Sequence, residues 1–83
     1  MKEAEILDQA TRVIIKLRHE HNYNKQLVAN VLDMNISGYI RLELGKQKVT
    51  LVNLIRLGEL YGMSVTDLVA MIEAPVNVLK KAV

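Results

Sequence analysis

Apolar residues recur at steps of three and four along nearly the whole chain, and no window keeps the two-residue rhythm of a strand for long. The first such stretch runs from about Lys2 to Glu20. There Ile6, Ala10, Ile14 and Leu17 form one row, with Leu7 and Val13 beside it. It ends in HEHNYN, a polar run in which Asn22 suits a left-handed C-terminal position. A second helix begins with Asn24 as its N-cap. Leu27, Val28, Val31 and Leu32 supply its apolar rows, and the small Ala29 permits close approach of a neighbour. Asp33 marks a turn, because a short polar side chain tolerates positive φ. Asn35 caps a third helix, which reaches about Leu44 and stops at Gly45. Thr50 caps a fourth, in which Leu51, Leu54, Ile55, Leu57 and Leu60 are expected to face inward and which Gly62 closes. Ser64-Val65-Thr66-Asp67 has the form of a capping box, with Asp in place of Glu, and opens a fifth helix that Pro75 is expected to end. The pattern predicts an all-α bundle of five helices.

The third helix breaks the rule of one inward face. In NISGYIRLELGK, Ile36, Ile40 and Leu44 lie at i, i+4 and i+8, while Tyr39 and Leu42 form a second apolar row. A helix in a small bundle needs only one such row for the core, so the other is expected to serve something outside it.

Composition narrows the setting. At 83 residues the chain supports one small core, and 51% hydrophobic with 24% charged residues is a globular balance, far from that of disordered segments. Cysteine is absent, which excludes disulfides and thiolate metal sites and fits a reducing compartment. The start MKEAEILDQA has neither the basic stretch nor the continuous apolar run of a secretion signal, and no run is long enough for a bilayer. A cytoplasmic protein without membrane contact is expected. The net charge of +2 is too small to argue for nucleic acid. Its distribution says more: between Arg41 and Lys48, Arg41, Lys46 and Lys48 stand against Glu43 alone, whereas from Val49 to Pro75 Arg56 stands against Glu59, Asp67 and Glu73.

Two short helices joined by a tight turn describe a helix-turn-helix unit. Asn24–Gly45 reads N-x-x-L-V-A-x-x-L-D-x-N-x-S-G-Y-x-R-L-E-x-G, which resembles the phage repressor and Cro-type helix-turn-helix domains of the Xre family. The resemblance extends without a gap from about Ala10 to Val69, through LRHEHN on one side and GKQKVTLVNLIRLGELYGMSVTDLV on the other. It implies a lambda-repressor-like domain over residues 1–74, with motif helices at about 24–32 and 35–44, and a short C-terminal extension, 75–83, available for dimerisation or a partner. It also implies that Tyr39 and Leu42 are core residues and that Arg18 pairs with Glu43 to tie the first helix to the third.

The same resemblance implies a sequence-specific regulator of transcription, bound to double-stranded DNA as a homodimer with the third helix in the major groove. Base reading would fall to Asn35, Ile36, Ser37, Ile40 and Arg41. Of these, Arg41 has the guanidinium that binds guanine O6 and N7 in bidentate fashion, and the isoleucines offer contact to a thymine methyl. Asn24 and Lys25, at the start of the second helix, would meet phosphate, as would Lys46, Gln47, Lys48 and Asn53. The sequence departs from the family pattern at Ile36 and Ile40, where polar residues are common, at Asp33, where Gly is usual, and at Lys25, where Gln is frequent. The exposed apolar row supports an alternative: a protein-interaction module of the same fold, binding a toxin or another regulator subunit through Ile36, Ile40 and Leu44.

Other chemistry is thinly represented. His19 and His21 are two residues apart, so they do not share a helix face, and a polar helix end is the simpler reading than a metal site. No triad, carboxylate pair or phosphate-cradling glycine loop stands out, so neither catalysis nor a cofactor is expected.

Overall fold

The computed structural model describes residues 1–82, and from residue 75 onward the backbone alone. Its helices are α1 (Glu3–Glu20), α2 (Lys25–Val31), α3 (Ile36–Glu43), α4 (Leu51–Tyr61) and α5 (Val65–Ala82), in an all-α arrangement.

The starts and stops follow local chemistry. The side chain of Asn24 accepts from the Leu27 N–H at 2.8 Å, Asn35 from Gly38 at 2.7 Å, and Thr50 from Asn53 at 3.1 Å. Ser64 and Asp67 exchange two bonds of 3.1 Å, each side chain accepting from the other's backbone N–H, which completes the capping box. At the other ends, Asn22 and Asp33 (φ 55°), Gly45 (φ 73°) and Gly62 (φ 68°) take up the left-handed conformation. The residue after each donates back five positions: Tyr23 to the Arg18 carbonyl, Met34 to Ala29, Lys46 to Arg41 and Met63 to Gly58. One closure device thus serves α1 to α4, and it turns the chain sharply enough to keep the helices short and mutually packed.

The core is drawn from every helix: Ala10, Ile14 and Leu17 of α1, Val28 and Ala29 of α2, Tyr39 and Leu42 of α3, Leu57 and Tyr61 of α4, Leu68 and Ile72 of α5. α1 packs on α3 and α5, α2 on α3 and α4, and α4 on α5. The α4–α5 corner depends on Gly58, where a Cβ atom would run into the carbonyl oxygen of Met63. Met34, Met63 and Met71 fill gaps against this core, while Met1 is exposed.

Several residues expected inside are not. Ile6 and Leu27 are exposed, and on α4 so are Leu51 (64%) and Ile55 (44%), with Leu54 and Leu60 half-buried. Periodicity identifies which residues share a helix face but not whether another element reaches that far. α4 is covered mainly toward its C-terminal half, at Leu57, Gly58 and Tyr61, while in its first turn only Asn53 is buried and Leu51 and Val52 overhang. Pro75 also differs from expectation, since α5 runs through it to Ala82. Proline lacks the N–H that an interior helix position would donate, yet the backbone stays helical on both sides of it. The expected role of Val76–Val83 in dimerisation lies outside the described side chains. Among the described residues, no helix is long and apolar enough to cross a membrane.

Candidate nucleic-acid interface

The orientation of α3 is set from behind. Arg18, near the end of α1, donates from Nε to Glu43 Oε2 at 2.7 Å and from Nη2 to Glu43 Oε1 at 3.1 Å, a bidentate pair between residues that are both only 8% exposed. The Tyr39 hydroxyl donates to the same carboxylate. Arg18 Nη1 also reaches the Tyr23 carbonyl at 3.2 Å, just past the end of α1. Three side chains on two helices thus fix both the roll of α3 and its height on α1. Burial alone would raise the Glu43 pKa, but the hydrogen bonds from Arg18 and Tyr39, with the Arg18 charge, outweigh it and hold the carboxyl below its ordinary value. The Tyr39 hydroxyl is pushed well above the usual tyrosine range, first by burial and then by donation to that carboxylate. Glu43 is the only acid of α3, so the helix turns no negative charge outward.

With Tyr39, Leu42 and Glu43 inward, the opposite side carries Ile36, Ser37, Ile40 and Arg41, all exposed, and Leu44 follows at the C-cap, 63% exposed. Asn35 is exposed too. Its oxygen is committed to the Gly38 N–H, which leaves its amide nitrogen as the group able to donate elsewhere. A shallow recess of about 260 Å³ opens between the turn and α3, lined by Asp33, Met34, Asn35, Gly38, Arg41 and Gln47. Gly38 makes its floor. A Cβ there would stand 3.1 Å from the Asn35 oxygen and 3.9 Å from Arg41 Nη2, so the guanidinium lies back across the glycine toward the start of α3.

The residues expected to meet phosphate divide. Lys25, Lys46 and Gln47 are exposed, with Lys25 in the first turn of α2 behind the Asn24 cap. Lys48 is exposed as well, but its ammonium lies 2.7 Å from Glu3 Oε1, and the hydrogen bond and charge of Glu3 raise its pKa. Asn53 does not join this surface, since it is buried at the start of α4. The first turn of α4 folds the residue inward while its N–H is held by Thr50.

Two features escaped the sequence reading. Arg56 of α4 donates to the Leu32 carbonyl at 3.1 Å and satisfies the end of α2, which fixes the motif pair against α4. Tyr23 and Tyr61 stack at 6.0 Å, and His21 completes a triangle with them, 5.7 Å from Tyr23 and 4.7 Å from Tyr61. The Tyr61 hydroxyl is buried and has no hydrogen-bond partner among the described residues, and burial pushes its pKa up to about 12. The spacing of Tyr23 in a polar run gives no sign of this cluster. His21 itself points back to α1, its Nδ1 2.8 Å from the Leu17 carbonyl, and His19 lies 3.2 Å from Arg18 Nη2. No family model, curated protein or solved structure matches the chain.

Proposed function

We propose that the chain is a sequence-specific DNA-binding regulator of transcription, with α3 in the major groove and two copies on a two-fold site. The observation that carries this reading is the division of α3. Its one acid is buried against Arg18, and its outward side gathers Arg41, Asn35 and Ser37 beside Gln47, with exposed cations at Lys25, in the first turn of α2, and Lys46, just past α3. An eight-residue helix is about 12 Å long, the width of the major groove. The likeness of Asn24–Gly45 to phage repressor and Cro-type domains supports the same docking. Ile36 and Ile40 would contribute apolar contact to thymine methyls next to the Arg41 bond to guanine.

Selection of bound sequences from random duplexes by the purified protein, at low and fixed salt, tests it. Enrichment of a two-fold motif is the expected outcome, and no enrichment of any motif would overturn the proposal. One observation favours a second reading, a protein-interaction module. Exposed Leu44 borders a groove between α1 and α3 that is also lined by Leu7 and Ile15. Under that reading a partner protein, not DNA, would protect the α3 face from amide exchange.

A further inference from the structure

α1, α4 and α5 leave a gap where they meet. Leu7 and Ala10 of α1, Leu54 of α4, and Val69 and Ile72 of α5 surround a cavity of about 310 Å³, with Glu73 at its edge. Ala10 and Ile72 form a buried wall, while Ile6 and Glu73 are exposed at the rim. Ile6 and Leu54 follow the inward rhythm of their helices, and it is this cavity that they line. None of these residues belongs to the surface proposed for DNA. From the cavity we infer a binding site for a small lipophilic amine, whose apolar body fills the gap and whose ammonium meets the Glu73 carboxylate.

Three properties select this class of ligand. The first is size. Ligand pockets run from about 300 Å³ upward, and a cavity of about 150 Å³ holds benzene, so about 310 Å³ takes roughly a dozen non-hydrogen atoms. A sphere of that volume is about 8 Å across, narrower than a helix with its side chains at about 10–12 Å, which excludes a docked helix. The second is polarity. A buried water needs roughly two to four polar partners, and Glu73 is the one polar side chain among the described residues of the wall. Water is therefore held poorly there, and apolar atoms displace it at little cost. The third is charge. Glu73 has no ion-pair partner among the described residues, so it attracts a cation and repels the carboxylate of a fatty acid. Because Glu73 is exposed, an ammonium gains only roughly two- to fivefold in affinity over a neutral isostere. Val49 also lines the cavity, one position past Lys48, so an occupant lies against the segment that carries Lys46 and Gln47. Binding at this site does not depend on the DNA-binding reading.

NMR titration of the full chain with phenylbutylamine, phenylbutanol and phenylbutyrate, read at the methyl groups, tests the inference. The three probes share one apolar body and differ in charge. The amine is expected to bind saturably with a Kd on the order of 0.1–1 mM, shifting the methyls of Leu7, Leu54, Val69 and Ile72 and giving NOEs to them. The alcohol should bind roughly two- to fivefold more weakly, and the carboxylate more weakly still. Glu73→Gln, at an exposed position, should bring amine and alcohol to equal affinity. Val69→Trp should abolish binding by filling the cavity, with melting followed by circular dichroism to check that it stays folded. No saturable shift with the amine up to about 10 mM would overturn the inference. So would shifts centred on Leu51 and Ile55 instead, or a carboxylate bound as tightly as the amine. A Glu73→Gln variant that keeps the amine preference, or a folded Val69→Trp that binds unchanged, would do the same. The DNA reading fails on a different result, the absence of an enriched motif, which leaves this measurement unaffected.

Discussion

Replacing Glu43 by Gln removes a charge while nearly preserving shape, and the structure indicates how much that should cost. Arg18 stays protonated at any pH at which the protein folds, so the variant leaves a guanidinium that is 8% exposed without its counter-charge. Breaking a buried ion pair from one side typically costs about 3–5 kcal/mol. The lower end applies here, because Arg18 keeps the Tyr23 carbonyl and the glutamine oxygen can still accept one bond. A loss of about 3 kcal/mol is a large part of the stability of a domain this size and corresponds to a fall in Tm of roughly 12–24 °C. The double variant Arg18→Met/Glu43→Met should recover most of it, since an apolar pair of similar volume needs no desolvation of charge. Urea and thermal unfolding of wild type, Arg18→Met, Glu43→Met and the double variant at neutral pH complete the cycle, with Glu43→Gln measured beside them. The carboxyl pKa is lower in the folded state than the ordinary value of about 4.3. Its contribution is therefore complete above that value and is lost as pH falls through the folded pKa. The gap between wild type and Glu43→Gln should accordingly narrow only in acid, below about pH 4. A gap under about 1 kcal/mol at neutral pH, or a double variant no better than the singles, would refute the account of a buried, coupled pair.

Two tyrosines should respond in opposite ways. Tyr61→Phe deletes a buried hydroxyl that has no partner among the described residues and should leave Tm unchanged or slightly higher, whereas Tyr39→Phe removes a donor to Glu43 and should cost about 1.5–3 kcal/mol in urea unfolding. Gly58→Ala should destabilise by about 1–3 kcal/mol, because its Cβ meets the Met63 carbonyl and the α4–α5 corner must move; calorimetry measures it. In DNA titrations over a salt series, Arg41→Ala should abolish sequence preference, while Lys46→Ala should weaken all sequences alike and reduce the slope of log K against log salt by about 0.9. Equal effects of the two on specificity would contradict the division between base and phosphate contacts.

What the chain discloses before folding is what its neighbours decide. Asn24, Asn35, Thr50 and Ser64 cap as expected because each bond spans three residues, and the left-handed Asn22, Asp33, Gly45 and Gly62 answer to their own side chains or lack of them. The Arg18–Glu43 contact spans 25 positions and was accessible only through the family resemblance. Depth was not legible. Leu51 and Leu57 obey the same helical rhythm, yet one overhangs the bundle and the other is 1% exposed, since the reach of α2 and α5 decides the matter. Asn53 went wrong for the same reason: an asparagine at a helix start reads as a surface donor until packing turns it inward. The outward residues of α3 could be named, but the recess that Gly38 leaves beside Arg41 depends on where the turn places Asp33 and Gln47.

The burial of Glu43 and Tyr39 on one side of α3, with Ile36, Ser37, Ile40 and Arg41 on the other, separates what keeps the domain folded from what it touches. Changes confined to exposed helix positions shift stability by only a few tenths of a kcal/mol, whereas a marginally stable domain tolerates few changes behind them. The outer four positions can thus be rewritten one at a time without a compensating change elsewhere, so under the proposed DNA-binding reading the same scaffold could drift to a new preference through variants that all remain folded.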